Sequence, residues 1–370
     1  MPMTELTFPL GRRIEKWRKR TGLTAAEVAQ KAGLSRPVLS SVEAGSEELS
    51  AYTFHRLAFA LGIDPAVLLT ETPGADPMRS TARFRTKGAD ATLAAGDVRL
   101  LSLAAELGRV GASLCELLDD ERWMRLPYES TPIEPPPWRQ GYRLGEAARV
   151  NLLPREGPLV SVQGAFEGLG IHVAIVPFST GDVEAASLRE PGAMPVILLN
   201  ERAERVSRPH TRRAILAHEL CHLLHDATAE DHLVTAVTRA TDLHVDVEMR
   251  ANGFGPAFLA PPSWLDGEAW EPMALARELM GRWFFSLEGA AWHVRNVLRL
   301  PESAGPALKE QLLAESVRET RVAEGVPRSG GILGSQTTPL VTGLIGDLAQ
   351  RAMDAGHISE GRAREIAALG

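Results

Sequence analysis

The sequence predicts a mainly α, α+β fold spread over several domains. Three observations carry this expectation. Apolar residues recur at helical spacing over long stretches, and Ser, Thr, Gly and Pro punctuate them where helices start and stop. At 370 residues the chain exceeds one ordinary hydrophobic core, so two or three domains are expected. Basic residues concentrate near the start although the whole chain carries −7, which sets a small basic region against an acidic remainder. The balance of 44% apolar and 24% charged residues is that of a soluble globular protein, and the negative total argues against a general nucleic-acid-coating role. Two cysteines, Cys115 and Cys221, offer no disulfide framework and suit a reducing cytosol. No signal-peptide apolar region opens the chain and no run approaches a membrane span, so a cytoplasmic protein without a membrane partner is expected.

Residues 9 to 70 read as five short helices within a first domain of residues 1–72. Gly11 to Thr21 carries Arg12, Arg13, Lys16, Arg18, Lys19 and Arg20 against one acid, Glu15, with Ile14 and Trp17 on its apolar side. Thr24-Ala-Ala-Glu27 is a capping box that starts a second helix, with Val28, Ala29 and Ala32 inward, ended at Gly33-Leu34. Ser35 caps a third helix, with Pro37 tolerated in its first turn, Leu39 and Val42 inward and Gly45 at its end. Ser50 begins a fourth, with Phe54, Leu57, Ala58 and Leu61 inward, and Pro65 to Leu69 gives a short fifth.

The series Leu23-Thr24-x-x-Glu27-Val28-Ala29-x-x-Ala32-Gly33-Leu34-Ser35 … Leu39-Ser40-x-Val42-Glu43-x-Gly45 closely resembles the Xre/Cro-type helix-turn-helix. The resemblance implies that the helix from Ser35 to Ala44 enters the major groove of an operator DNA. It would present Arg36, Pro37, Ser40 and Ser41 to base edges, with Thr24 and Lys31 near phosphates. Of these only Arg36 can grip a guanine through two bonds. The sequence departs from the family at Ala25, where a phosphate-touching glutamine is common. A helix-turn-helix kept for dimerisation or protein contact is the alternative. With so few positive groups, binding would be modest and salt-sensitive, so a homodimer is expected.

A connector follows at 73–138. Thr72-Pro-Gly-Ala-Asp-Pro77 is linker-like, Asp97 to Leu118 repeats apolar residues at helical spacing, and Thr131 to Pro137 is a proline-rich turn. The 97–118 helix is either a connector or part of the next domain. That domain, 139–265, opens with a helix from Leu144 to Leu153 ended by Pro154.

Its centre is His218-Glu219-Leu220-Cys221-His222, between Ala214-Ile215-Leu216-Ala217 and Leu223-Leu224. In a helix two residues four apart lie about 40° apart on one face, so both imidazoles can grip one zinc ion. Glu219, one step round, can face the water that such an ion activates. With ten histidines in the chain, roughly 0.02 chance matches to this pattern are expected. The bland alternative is a helix that carries surface histidines, but these flanks are too apolar for a solvated helix. Cys221 points away from the histidine face and reads as a small buried hydrophobe.

A catalytic zinc needs a third protein ligand and an open position. Downstream stand His225, Asp226, His232, His244, Asp246 and Glu248. A carboxylate on a second helix, a few tens of residues on, completes a His₂Glu site, which favours Glu248. Ala251, one turn later, would let that helix come close, and Asn252 could hydrogen-bond the Glu248 carboxylate. On its own Glu248 would read as a solvated surface acid. His225 lies a turn too far and reads as packing or capping. His232 and His244 fall in a polar, loop-like stretch, with His244 retained as a weak candidate for a transition-state donor.

The segment Arg213 to His222, with the later Glu248-x-x-Ala251-Asn252-x-Phe254 … Pro261, resembles the ImmA/IrrE-type metallopeptidases. So do Ile171 to Val176 and Pro195 to Asn200, which match the strands ahead of that family's metal helix. The resemblance implies a zincin-like domain with a small sheet. It implies Zn²⁺ on His218, His222 and Glu248, with Glu219 as general base. Residues 266–324 contain Leu275-Ala276-x-x-Leu279 … Phe285-Ser286-x-x-x-Ala290-x-x-x-Val294, which resembles the second, degenerate helix-turn-helix that such proteins pack behind the active site. Residues 325–339 are Gly/Ser/Thr-rich, and Leu340 to Leu369 reads as a helical hairpin broken at Gly356-His-Ile-Ser359, within a last region of 325–370. Two functions are expected from this pairing. One is a zinc endopeptidase that cuts a specific regulator, such as a repressor, in a stress, prophage or toxin–antitoxin setting. The other is a non-proteolytic regulator or antitoxin whose peptidase-like domain senses a ligand or grips a partner such as a toxin. A structural zinc site is a weaker third reading.

Overall fold

The computed structural model describes residues 4–20, 24–61, 68, 95–226, 234–239, 246–265, 270–322, 324 and 338–369. In the amino-terminal body α1 spans Thr4–Arg20, α2 Ala25–Ala32, α3 Arg36–Ala44 and α4 Ala51–Leu61. The first helix starts well before Gly11, where the sequence pattern first becomes periodic. The capping box is present in full: Glu27 N donates to Thr24 Oγ1 (3.2 Å) and Thr24 N donates to Glu27 Oε2 (2.7 Å). Ile14, Val28, Leu39, Val42 and Leu57 form the core with no more than 2% exposure each. Arg18 ties α1 to α3 through two bonds to Glu43, at 2.7 and 2.9 Å. The expected fifth helix, Pro65 to Leu69, lies outside the described residues except for Leu68, which is buried.

The second body is built on a four-stranded sheet. Its strands are β1 His172–Val176, β2 Val183–Arg189, β3 Val196–Asn200 and β4 Val234–Arg239, in the order β1-β3-β2-β4. β1 and β3 pair in parallel; the β3–β2 and β2–β4 pairs are antiparallel. The strands at 171–176 and 195–200 stand where the sequence placed them. Among the described residues β3 is interior, and β1 and β4 are the edges. β2 escaped notice because Val-Glu-Ala-Ala-Ser-Leu-Arg is short of the β-branched and aromatic residues that mark a strand.

Both faces of the sheet are covered, which is why β3 is buried at every position. One face is covered by α5, Ala95–Leu117, with the carboxy-terminal helices α15, Leu344–Asp354, and α16, Glu360–Ala367. Leu107, Leu114, Val176, Leu198, Ile345 and Leu348 share this core. Of the two readings of the 97–118 helix, packing in the sheet domain is therefore the one observed. The other face carries α6, Pro137–Leu152, α7, Val162–Gly168, the short α8, Glu204–Ser207, α9, Pro209–His225, and α10, Asp246–Leu259. A short helix α11, Pro262–Leu265, leads into α12, Pro272–Gly281, α13, Leu287–Val297, and α14, Ala304–Ala314.

Helices α6 and α10 cross at backbone contact. A Cβ on Gly141 would lie 2.0 Å from Arg250 O, one on Gly145 2.3 Å from Phe254 O, and one on Gly253 2.2 Å from Trp138 O. No side chain can yield there because the obstacle is main chain. We expect Gly141→Ala to destabilise the protein by about 2–3 kcal/mol or more through overpacking, seen as a lower urea midpoint. An unchanged midpoint would show that the crossing has slack.

Candidate metal centre and nucleic-acid interface

α9 is a core helix, with its residues buried almost all round, and this explains its apolar flanks. Pro209 sits in its first turn, and His218, Glu219 and His222 are 7%, 0% and 4% exposed. α10 begins at Asp246 and carries Glu248, 7% exposed, in its first turn. Gly255 faces α9, and a Cβ there would stand 3.4 Å from Ala214 O and 3.6 Å from His218 N, in ordinary contact. Ala251, fully buried, adds the small surface anticipated from sequence.

The crossing brings His218, His222 and Glu248 together, with one potential ligand atom of each within 4.8 Å of the others. His218 Nε2 is 3.0 Å from Glu248 Oε2 and 3.0 Å from His222 Nε2, and His222 Nε2 is 3.5 Å from Glu248 Oε1. Donor atoms at zinc distances of about 2.0–2.1 Å in tetrahedral array would stand about 3.3 Å apart, so the spacing fits. The outer nitrogens agree. His218 Nδ1 bonds Asn252 Oδ1 at 3.0 Å, and His222 Nδ1 bonds Asp226 Oδ2 at 2.6 Å. With each Nδ1–H committed outward, the Nε2 lone pairs of the neutral rings face one another, which is repulsive unless a proton or a cation lies between them. The residues present therefore fit a metal ion.

The charges lean the same way. Burial alone would push the Glu248 carboxyl up, but the His222 charge and the His218 bond outweigh it and hold it well below its usual range. Burial would pull His222 down, yet Glu248 and Asp226 together hold it well above an ordinary histidine. Burial pushes the Cys221 thiol far up, so it stays protonated and inert, as its apolar reading implied.

Two contributors escaped sequence reasoning. Asp226 was weighed only as a ligand; it holds His222 instead and forms a buried ion pair with Arg250. Arg250 also donates to Thr131 O at 2.6 Å, which anchors the proline-rich turn beside the metal helix. The signal for Asp226 was its i+4 spacing from His222. Asn252 supports the site as expected, but its partner is His218 and not the Glu248 carboxylate. His225 lies off the site, bonded to Thr131 Oγ1 at 3.0 Å and packed on Phe254, with its pKa pushed down to about 4 by burial and the Arg250 charge. His232 and His244 lie outside the described residues.

A cleft of about 270 Å³ reaches His218, Glu248 and Asn252. Phe284, Phe285 and residues of α13 also line it, so this helical subdomain lines the site rather than packing behind it. Glu184 and Arg205 pair on another side at 2.8 Å. Tyr142 is held by His293 Nδ1 (3.0 Å) and Asn296 Nδ2 (2.9 Å), and burial pushes its hydroxyl pKa far up.

In the amino-terminal body Arg36, Pro37 and Ser40 are exposed on α3 and Ser41 is half-buried. Thr24 is exposed too, but its hydroxyl is engaged in the capping box. The Lys31 side chain lies outside the described atoms. The basic character of α1 is partly consumed internally, by Arg18–Glu43 and Lys19–Glu15.

Such an arrangement defines a DNA-binding body joined to a buried His₂Glu centre. A family model described as a helix-turn-helix domain matches residues 9–69, and an IrrE N-terminal-like domain of the M78 peptidase family matches 166–288. An uncharacterized HTH-type transcriptional regulator, y4dJ, of Sinorhizobium fredii is 36% identical over 63 residues, 17% of this chain and 82% of that protein. The chain belongs to the HTH-type regulators, and it joins their DNA-binding domain to an M78 peptidase-family domain. Among the described residues no helix is long and apolar enough to cross a membrane.

Two predictions follow from the centre's geometry. Asp226→Asn weakens the grip on His222 and should lower metal affinity, with zinc as the probe ion, by about 10–100-fold in chelator competition; unchanged affinity would remove Asp226 from the site. Because metal-free His222 holds its proton above the usual range, zinc uptake near neutral pH should release a proton and weaken as pH falls. Calorimetry in buffers of different ionisation enthalpy reads that release, and identical heats would contradict it.

Proposed function

We propose that the protein is a DNA-binding regulator whose second body is a zinc-dependent endopeptidase that cuts a specific regulatory protein. The convergence of His218, His222 and Glu248 on one point, with both outer nitrogens fixed, carries this reading. A zinc ion held there would supply a Lewis acid for the scissile carbonyl and lower the pKa of water. Three ligands leave a position open for substrate, as catalytic rather than structural zinc sites do. Glu219, on the helical position next to His218 and wholly buried, would accept the proton of the attacking water and pass it to the leaving amine. Asn252 and Asp226 hold the two imidazoles in the ligating tautomer. An extended substrate would pair by strand addition with edge strand β4, whose neighbour β2 supplies Glu184 to the cleft.

On the DNA side Arg36, Pro37, Ser40 and Ser41 would face base edges, with Thr24 and Lys31 near phosphates and a homodimer spanning two half-sites. The regulator cut would be a repressor or similar partner in a stress, prophage or toxin–antitoxin setting, in the cytoplasm. The alternative is a binding-only regulator, and one pair of variants separates the two. Glu219→Gln should abolish cleavage of proteins encoded beside this gene, with zinc content and melting temperature retained. Arg36→Ala should weaken operator binding by about 1–3 kcal/mol. If Glu219→Gln leaves the biological output intact while Arg36→Ala removes it, the peptidase reading fails.

A further inference from the structure

Part of the lining of the cleft that reaches His218 and Glu248 is aromatic. Phe284 holds a backbone φ of 60°, a left-handed conformation that a bulky side chain rarely adopts. Its ring is held over the Arg213 guanidinium, with 5.2 Å to the centroid, while it lines the cleft. Phe285 follows, stacked on His293 at 5.1 Å. Trp292, on α13, is 38% exposed, and among the described residues it is the strongly exposed large apolar side chain that faces this cleft. Its indole is backed by Gly305 of α14, where a Cβ would stand 2.9 Å from the ring. Ile215 and Leu259 complete the apolar lining from α9 and α10.

The charged groups around the cleft are already engaged. Glu184 accepts from Arg205, His210 bonds Thr320 O at 2.7 Å and meets Glu319 at 3.2 Å, and Glu248 belongs to the ligand set. A charged substrate side chain would therefore lose water without gaining a partner. At about 270 Å³ the cleft falls below the roughly 300–1,000 Å³ that hold whole drug-sized ligands, and suits a side chain or two.

We propose that Phe284, Phe285 and Trp292 form a specificity subsite that takes a bulky apolar side chain, Leu, Met or Phe, of a peptide next to the bond presented to the metal centre. The subsite rests on the peptidase reading for its orientation but not for its binding preference. The left-handed turn at Phe284 ends α12, with Phe285 N donating to Leu279 O at 3.0 Å, and the Phe284 ring lines the cleft from that turn.

The test uses full-length, zinc-loaded Glu219→Gln protein, which binds without turnover. Fluorescein-labelled blocked peptides, identical except for one position carrying Leu, Met, Phe, Ala, Asp or Lys, are titrated by polarisation. The bulky apolar peptides should bind about tenfold or more tightly than the Ala, Asp and Lys peptides. Trp292→Ala, at a solvent-exposed position, and Phe284→Gly, which suits the left-handed backbone, should each remove most of that preference, so that the bulky apolar peptides fall towards the affinity of the Ala peptide. Trp292→Phe should restore part of it. Equal affinity across the series, preference for a charged residue, or a loss that is the same for every peptide would overturn the subsite. Binding preference upholds the subsite whether or not the wild type cuts these peptides, and the hydrolytic reading stands or falls on the Glu219→Gln comparison. Cleavage without binding preference overturns the subsite and leaves the hydrolytic reading standing.

Discussion

Helix α10 meets α9 with Gly255 at ordinary van der Waals distance from the main chain of Ala214 and His218, and this contact carries Glu248 to the two histidines. Everything chemical in the second body depends on it. The crossing is held from outside by α6, whose Gly141 and Gly145 lie on the backbone of Arg250 and Phe254. Helices packed this tightly cannot slide by a fraction of an ångström without main-chain overlap, so the ligand geometry is inherited from rigid elements.

Charge buried around this crossing needs partners of its own. Arg250 and Asp226 are each almost wholly inaccessible and pair with one another, and Arg213 does the same with Glu324 at 2.7 Å. Glu324 also accepts from Val162 N (2.8 Å) and Gln163 N (2.7 Å) at the start of α7. Pairs like these contribute little net stability after desolvation, but removing one member leaves a buried charge and is costly. They act as registry devices. Glu324, far along the chain, locks the start of the metal helix to the element beside it, just as α15 and α16 close the sheet's second face.

Much of the site was legible because its signals are local. Two histidines four apart on one helical face need no tertiary information, and Glu248 could be singled out by residue type once a third ligand was required. The capping box at Thr24 and Glu27 and the cap at Ser35 were equally local. Asp226 was seen but given the wrong task, since spacing gives its nearness to His222 and not the direction of its oxygens. Asn252 accepts through Oδ1 from His218 on the partner helix rather than bonding its own helix's Glu248, a choice that depends on how the two helices meet. β2 was invisible for lack of β-branched residues, and the interior place of β3 could not be read because strand order is a property of pairing and not of composition.

By itself, then, the sequence determined the helix-turn-helix, the mainly helical character, the metal-helix motif and its carboxylate partner, because periodicity, capping and residue chemistry act over a few positions. Only the tertiary structure decided that Asp226 and Arg250 support His222, that β4 and not β3 is the edge strand next to β2, and that the helices after residue 272 wall the cleft. Those outcomes depend on which distant surfaces meet, and contacts between distant segments are settled by packing the whole chain at once.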